Sequence, residues 1–432
     1  GAGGPEDPPC AAYPALESIA RLSAAFPAAP LPQLLPRALP PHPKVSEMLR
    51  HFELALPGDE ALSAPAGGYQ VSTLRPAELL LEGSDNDPAR TALVEWRHSG
   101  GGDVTSVVGC GEHFGSADAA ALAGLGPTFA ELPSQSALVA ALLQSHAVGA
   151  DALLLGGKGS GKTAAARRFA AALGYEPHVV YCYRDMGARD LLLRRETDAS
   201  GSTVWRHTEA VRAAVSGGLL VIEAAHRLPA GVLAATLGRL LTDRALQMPD
   251  GTRLLPPGHY DELAASLGAD ELTARGVLRV HPAFRVLATA EPPAGADAAG
   301  GGGGTPWLSS ELLSLFHVLH APPLTVADHA AMISPLPASG PPDEVAAVRS
   351  QLLSLFAMLG KAGAAGGALP PAAAELSLTT RGLLRCADHA GQGLAAAEEV
   401  SAAVAREVAG RRGALSPSGA AALSAALRQS GF

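Results

Sequence analysis

Lysine is almost missing from this 432-residue chain: Lys44, Lys158, Lys162 and Lys361 stand against 32 basic residues in all. Aromatic residues are scarce too, at 4%. That argues against an aromatic-rich β-sandwich and suits Ala-, Leu- and Val-rich helices packed on a parallel sheet. The four cysteines, Cys10, Cys110, Cys182 and Cys386, lie far apart with no CxxC spacing, so neither a disulfide frame nor a zinc site is expected. They read as reduced thiols of an intracellular protein. Excess basic charge is lacking as well: the net charge is −9, without the clustered Lys and Arg of a nucleic-acid binder. No window reaches the roughly 18–20 uninterrupted apolar residues of a membrane span.

What is plentiful is Ala, Gly and Pro, with 49 Gly and 35 Pro. Together with the preference for Arg over Lys, this reads as a general compositional bias, so an Ala/Gly run is not by itself a functional signal. The length allows two to three domains with substantial cores. The chain opens Gly-Ala-Gly-Gly without a Met and reads as a piece of a longer protein.

Residues 1–45 are Pro- and Ala-rich, with a short amphipathic stretch at 16–26. Residues 67–115 alternate in short runs (69–71, 92–96, 104–108) broken by Gly, Asp and Asn, the punctuation of a small β-rich unit. From about 125 the pattern changes. It predicts a helix over 136–146, a strand over 152–155, a helix over 164–173 and a strand over 178–183. This alternation runs to about 320 and argues for βαβ units and a mostly parallel sheet. Asp250-Gly251 predicts a tight hairpin, and 294–305 (AGADAAGGGGGT) reads as a low-complexity loop. Beyond 343, helices are expected over 344–359, 380–389, 395–408 and 420–428.

Gly156-Gly157-Lys158-Gly159-Ser160-Gly161-Lys162-Thr163 fits GxxxxGK[ST] in full. Glycines let backbone N–H groups turn inward around phosphate oxygens, and the following helix aims its positive dipole end at the anion. Lys162 is expected to reach the β- and γ-phosphates, and Thr163 to offer its hydroxyl to Mg²⁺. In so lysine-poor a chain, a chance match is improbable. A P-loop also needs a strand ending in an acid near the metal. Leu219-Leu220-Val221-Ile222-Glu223 supplies one, and Glu223 is the candidate Mg²⁺ carboxylate, the alternative being a solvated strand-end Glu.

The run 211–227 (VRAAVSGGLLVIEAAHR) resembles the dynein-related, midasin-like branch of AAA+ ATPases. Gln144-Ser145-His146-Ala147-Val148, 184–191, Trp205-Arg206, 250–255 and His281-Pro282-Ala283-Phe284-Arg285 carry the same resemblance, which covers roughly 130–390. It implies a three-layer αβα P-loop core at 126–325 followed by a helical lid at 326–432; residues 1–125, which contribute little to it, read from their own pattern as a small N-terminal α+β region. It further implies ATP and Mg²⁺ as ligands, and ATPase activity of a larger mechanochemical assembly. Other AAA modules of the same protein or a homo-oligomeric ring would be partners, with a mitochondrial site. In the family register Ala224 stands where the catalytic Glu is usual, and His226 where Asn or Asp is usual. Leu315, in LLSLF, stands where an arginine finger is usual. Arg381, in LSLTTRGLLR, falls at the sensor-2 position, or is an ordinary solvated helix arginine. Glu291, in ATAEP, stands where a sensor-1 Asn is usual. It either positions the attacking water in place of the missing Glu, or merely caps its strand before Pro292-Pro293.

Two functions follow: an ATPase module, or a nucleotide-binding scaffold that no longer hydrolyses. A P-loop small-molecule kinase fits less well, because the C-terminal helices carry only scattered arginines. His207, His226, His281, His317 and His320 lack metal-ligand spacing. A charge-assisted contact is worth about 1.5–3 kcal/mol, so Lys162→Ala is expected to weaken nucleotide binding about tenfold or more. Unchanged affinity for a fluorescent nucleotide would refute the phosphate-loop reading.

Overall fold

Alternation of side chains along Thr91–His98 buries Ala92, Val94 and Trp96 and leaves their neighbours less covered. This strand, β2, pairs antiparallel with β1 (Tyr69–Pro76) and β3 (Val104–Gly109). The buried face of that sheet, with Tyr69 and Val108, belongs to one apolar cluster with Leu142, Phe169 and Tyr175. The computed structural model describes Ala25 and residues 69–76, 90–98, 102–126, 129–229, 231–292, 314–360, 376, 378–392, 397–409 and 415–432. The stretch 16–26 (Ala25 apart), the loop 294–305 and the first two residues of LLSLF therefore lie outside the described residues. The chain divides into two compact units, 1–126 with 136–322 and 127–135 with 323–432.

In the first unit, β4 (Ala152–Leu155), β5 (Pro177–Tyr181), β8 (Leu219–Glu223), β12 (Arg285–Ala290) and β13 (His317–His320) form one sheet. Its order is β13-β4-β12-β8-β5, and all of its pairings are parallel. A parallel sheet covered on both faces needs near-continuous apolar strands; ALLL and LLVI meet that need, and Leu153, Leu154, Leu220 and Ile222 are fully buried. The expected helices appear as Pro133–Ala147 and Lys162–Ala172. A further antiparallel hairpin, β6 (Leu193–Thr197) with β7 (Thr203–His207), was not anticipated. Asp250-Gly251 does turn a hairpin, between β9 (Leu246–Gln247) and β10 (Arg253–Leu255). The latter also pairs parallel with β11 (Val277–Arg279).

Gly174 joins the small sheet's flank to the main sheet by close backbone approach. Its φ is +65°, and a Cβ there would lie 2.0 Å from Phe114 N. Gly111 N and His113 N donate to Leu173 O and Gly174 O at 2.9 and 3.0 Å. At the amino end of β4, Asp151 is 6% exposed and accepts from Arg244 Nη1 at 2.8 Å and from Val286 N at 2.9 Å.

The second unit is helical: Val326–Ile333, Pro342–Gly360, Thr380–Gly391, Ala397–Ala409 and Pro417–Ser430. Leu352, Leu355, Leu383, Val404 and Ala426 form its core. The first of these helices went unforeseen, although Thr325 and Asp328 form a capping box that the sequence carries in the open.

Two stability predictions follow from buried polar groups. Removing one partner of a buried ion pair costs about 3–5 kcal/mol, so Asp151→Ala is expected to lower unfolding stability by that order in urea titration. His146 is buried, with Nε2 2.6 Å from Gly109 O. Burial, followed by the charge of Arg285, pushes its pKa down to about 3. The unfolded side chain titrates near 6.5, so the unfolded state takes the proton first. Stability is then whole above about pH 6.5 and falls below it, by up to about 1.4 kcal/mol per pH unit. A His146→Gln variant is expected to lose that part of the slope between pH 6.5 and 4.5.

Candidate functional site

The site is built at the carboxyl ends of β4, β12 and β8, where open parallel sheets leave a crevice. Leu155 is the last paired residue of β4, lying against Ala290 on one side and His320 on the other. Gly156 N then donates to Ala290 O at 3.2 Å. A Cβ on Gly156 would fall 2.3 Å from Ala321 O and 2.7 Å from Ser160 Oγ, so only glycine passes. Gly159 and Gly161 follow with φ of +83° and +79°, in the left-handed region that glycine reaches without a steric cost. The helix Lys162–Ala172 starts at once from Gly161, its amide end facing the loop.

Lys162 Nζ donates to Gly156 O and Gly157 O, both at 2.8 Å. Partial burial holds its pKa below the usual lysine range, while the carboxylates of Glu291 and Glu223 pull it back up. Both acids thus lie within electrostatic reach of the same amine. Thr163 Oγ1 donates to Glu223 Oε2 at 3.2 Å, which brings the two expected metal-side oxygens together. Ser160 Oγ is buried without a hydrogen-bond partner.

Past Glu223, Ala224 takes φ +58° and ψ +46°, a left-handed conformation that costs an L-residue about 1–2 kcal/mol. Its N–H donates to Thr289 Oγ1 at 3.1 Å. The kink feeds the short 3₁₀ turn Ala225–Arg227 and carries His226 to the end of β12. There Glu291 N donates to His226 Nδ1 at 3.2 Å, which leaves the ring proton on Nε2. Burial holds His226 below the ordinary histidine range; Glu291 opposes this, and the charges of Arg227 and Lys162 add to it.

The structure therefore gathers Lys162, Thr163, Glu223 and Glu291. In the sequence His226 stands out only as a departure from a family pattern, and Thr289 only as part of the run ATAEP. Their contacts depend on β12 lying beside β8, for which no linear signal exists. Leu315 is half-buried against the apolar cluster of Phe316 and Val318. Arg381 is exposed in the first turn of Thr380–Gly391, whose cap Thr379 accepts from Gly382 N at 3.2 Å. Among the described residues no three His, Cys, Asp or Glu side chains gather as a metal-binding cluster, and no helix is long and apolar enough to cross a membrane. A Thr–Glu pair suits Mg²⁺, which keeps most of its waters and takes phosphate oxygens beside one or two protein ligands.

Residues 151–316 match the family model described as an AAA domain of the dynein-related subfamily. Over 207 residues the chain is 41% identical to von Willebrand factor A domain-containing protein 8 of Mus musculus, a stretch that is 48% of this chain and 10% of the mouse protein. A solved structure of an ATPase candidate from Cytophaga hutchinsonii aligns over 64% of this chain and 84% of its own, at 14% identity. Its TM-score is 0.29, too loose to add to the fold read from the sheet. Strand order, glycine-rich loop and family match agree: residues 151–316 are an AAA domain of the dynein-related subfamily.

Proposed function

We propose that this module binds Mg-ATP and couples its binding and hydrolysis to conformational change within a larger AAA assembly. The observation that carries the reading is the Thr163–Glu223 pair beside Lys162 at one glycine loop. Glu291 follows Ala290, whose carbonyl accepts from Gly156 N, and its charge is felt at the same amine. The loop amides and Lys162 would hold the β- and γ-phosphates; Thr163 and Glu223 would hold Mg²⁺. When bound, the ion would neutralise charge on the phosphate oxygens. The orphaned Ser160 hydroxyl, the left-handed glycines and the Thr–Glu oxygen pair all fit such a ligand.

Ala224 offers only a methyl group, so another side chain must orient the attacking water. Glu291 is the acid available. It follows the last residue of β12, and its charge acts on the amine that would hold the γ-phosphate. The bond from its N–H to His226 fixes the backbone from which its carboxylate projects. A second reading, a scaffold that binds nucleotide without turnover, is favoured by the same Ala224 and by Leu315, which packs inward.

Phosphate release by the purified chain separates the two. Positioned general bases contribute about 10²–10⁴-fold, so Glu291→Gln is expected to cut turnover at least 100-fold while nucleotide affinity changes less than threefold. Hydrolysis untouched in that variant would remove Glu291 from the chemistry. ATP binding with no phosphate release by the wild type would establish the scaffold.

A further inference from the structure

The five-stranded sheet ends at β5, with which no further strand pairs among the described residues. Beside that edge lies a groove of about 1130 Å³ between β5 with its following segment and the β6–β7 hairpin. Among the described residues, every Tyr, Trp or Phe that is exposed lines this groove: Tyr181 is 66% exposed, Tyr183 50% and Trp205 53%. In a chain with so few aromatics, that concentration is not expected of a solvated face. Tyr, Trp and Arg are the residues enriched where proteins bind one another.

The charge on the walls defines the occupant. Arg194 stands directly opposite Arg206 in the β6–β7 ladder, and Arg195 opposite Trp205. Like charges facing each other across two strands are unfavourable. Glu196 relieves Arg206 with a 2.9 Å ion pair, whereas among the described residues Arg195 donates to the neutral Thr203 hydroxyl, at 3.3 Å, and forms no ion pair. In a chain whose net charge is −9, this groove concentrates positive charge beside an open strand edge.

We propose that the groove binds an extended acidic peptide segment, which adds a strand to the free edge of β5. Main-chain hydrogen bonds would supply the pairing. Alternate side chains, about 6.6–6.8 Å apart on one face of a strand, would reach the arginines and lie against Tyr181 and Trp205. A single-stranded nucleic acid also stacks on aromatic side chains, but it fits less well. Glu196, Glu209 and Asp190 share the walls and would repel an unbroken row of phosphates, while spaced carboxylates can avoid them.

Fluorescence anisotropy on the full chain tests this, with a fluorescein-labelled octapeptide alternating Glu and Val. Saturable binding is expected, weakened at least tenfold by Trp205→Ala and by Arg194→Gln with Arg195→Gln. Circular dichroism and an unchanged melting temperature would confirm that these surface variants fold. N-methylation of alternate peptide amides, which needs no variant, is expected to cost at least tenfold by removing the strand pairing. The proposal is overturned if an octapeptide alternating Lys and Val binds as tightly, or if the variants stay within twofold of wild type. It is equally overturned if methylation has no effect, or if oligothymidylate binds tenfold tighter than the acidic peptide.

Discussion

The parallel ladder that seats β12 between β4 and β8 is the constraint on which the candidate site depends. Its registers set Ala290 against Leu155 and Ala288 against Ile222. The glycine loop, the end of β12 and the end of β8 therefore emerge side by side at one edge of the sheet. Glu291 and Glu223, 68 residues apart in the chain by their numbering, come to act on one amine because of those registers. A shift of one residue would turn their side chains to the opposite face. Asp151 holds the other end of the same strands, accepting from the backbone of β12 and from Arg244.

Around this ladder, local conformations unfavourable in isolation are held in place by their neighbours. Ala224 remains left-handed because its N–H is bonded to Thr289 and the following turn is bonded to β12 through His226. Backbone strain of this kind persists only where surrounding structure over-determines it. The glycine loop needs no such support, since its left-handed positions are glycines. The lysine it contains is one of four in a chain that elsewhere uses arginine. A slender ammonium can tuck between two loop carbonyls, where a planar guanidinium would not fit the same approach.

Much of the architecture was legible one segment at a time. The strands at 152–155 and 219–223 are short apolar runs bounded by glycine or charge, and both formed over those residues. The helix after the loop and the Asp250-Gly251 hairpin likewise follow from local turn and capping chemistry. The β6–β7 hairpin escaped because LRRET and TVWRH show no clear apolar face. They are exposed along most of their length, and their turn is closed by Asp198 accepting from Ser200 N and Ser202 N. The strand HVLH at 317–320 is too short to announce itself, and it is a strand because it pairs with β4.

The sequence by itself determined the glycine loop, the acid that ends the buried strand Leu219–Glu223, and the helical character of the C-terminal unit. All three depend on spacings within a few residues, where backbone geometry and side-chain periodicity act directly. Only the tertiary structure decided that Glu291 and Glu223 converge on Lys162, that Ala224 is left-handed, and that three exposed aromatics and a set of arginines share one groove. Those juxtapositions depend on which strands pair and in what register, and strand pairing joins segments whose separation in the chain carries no trace of their contact.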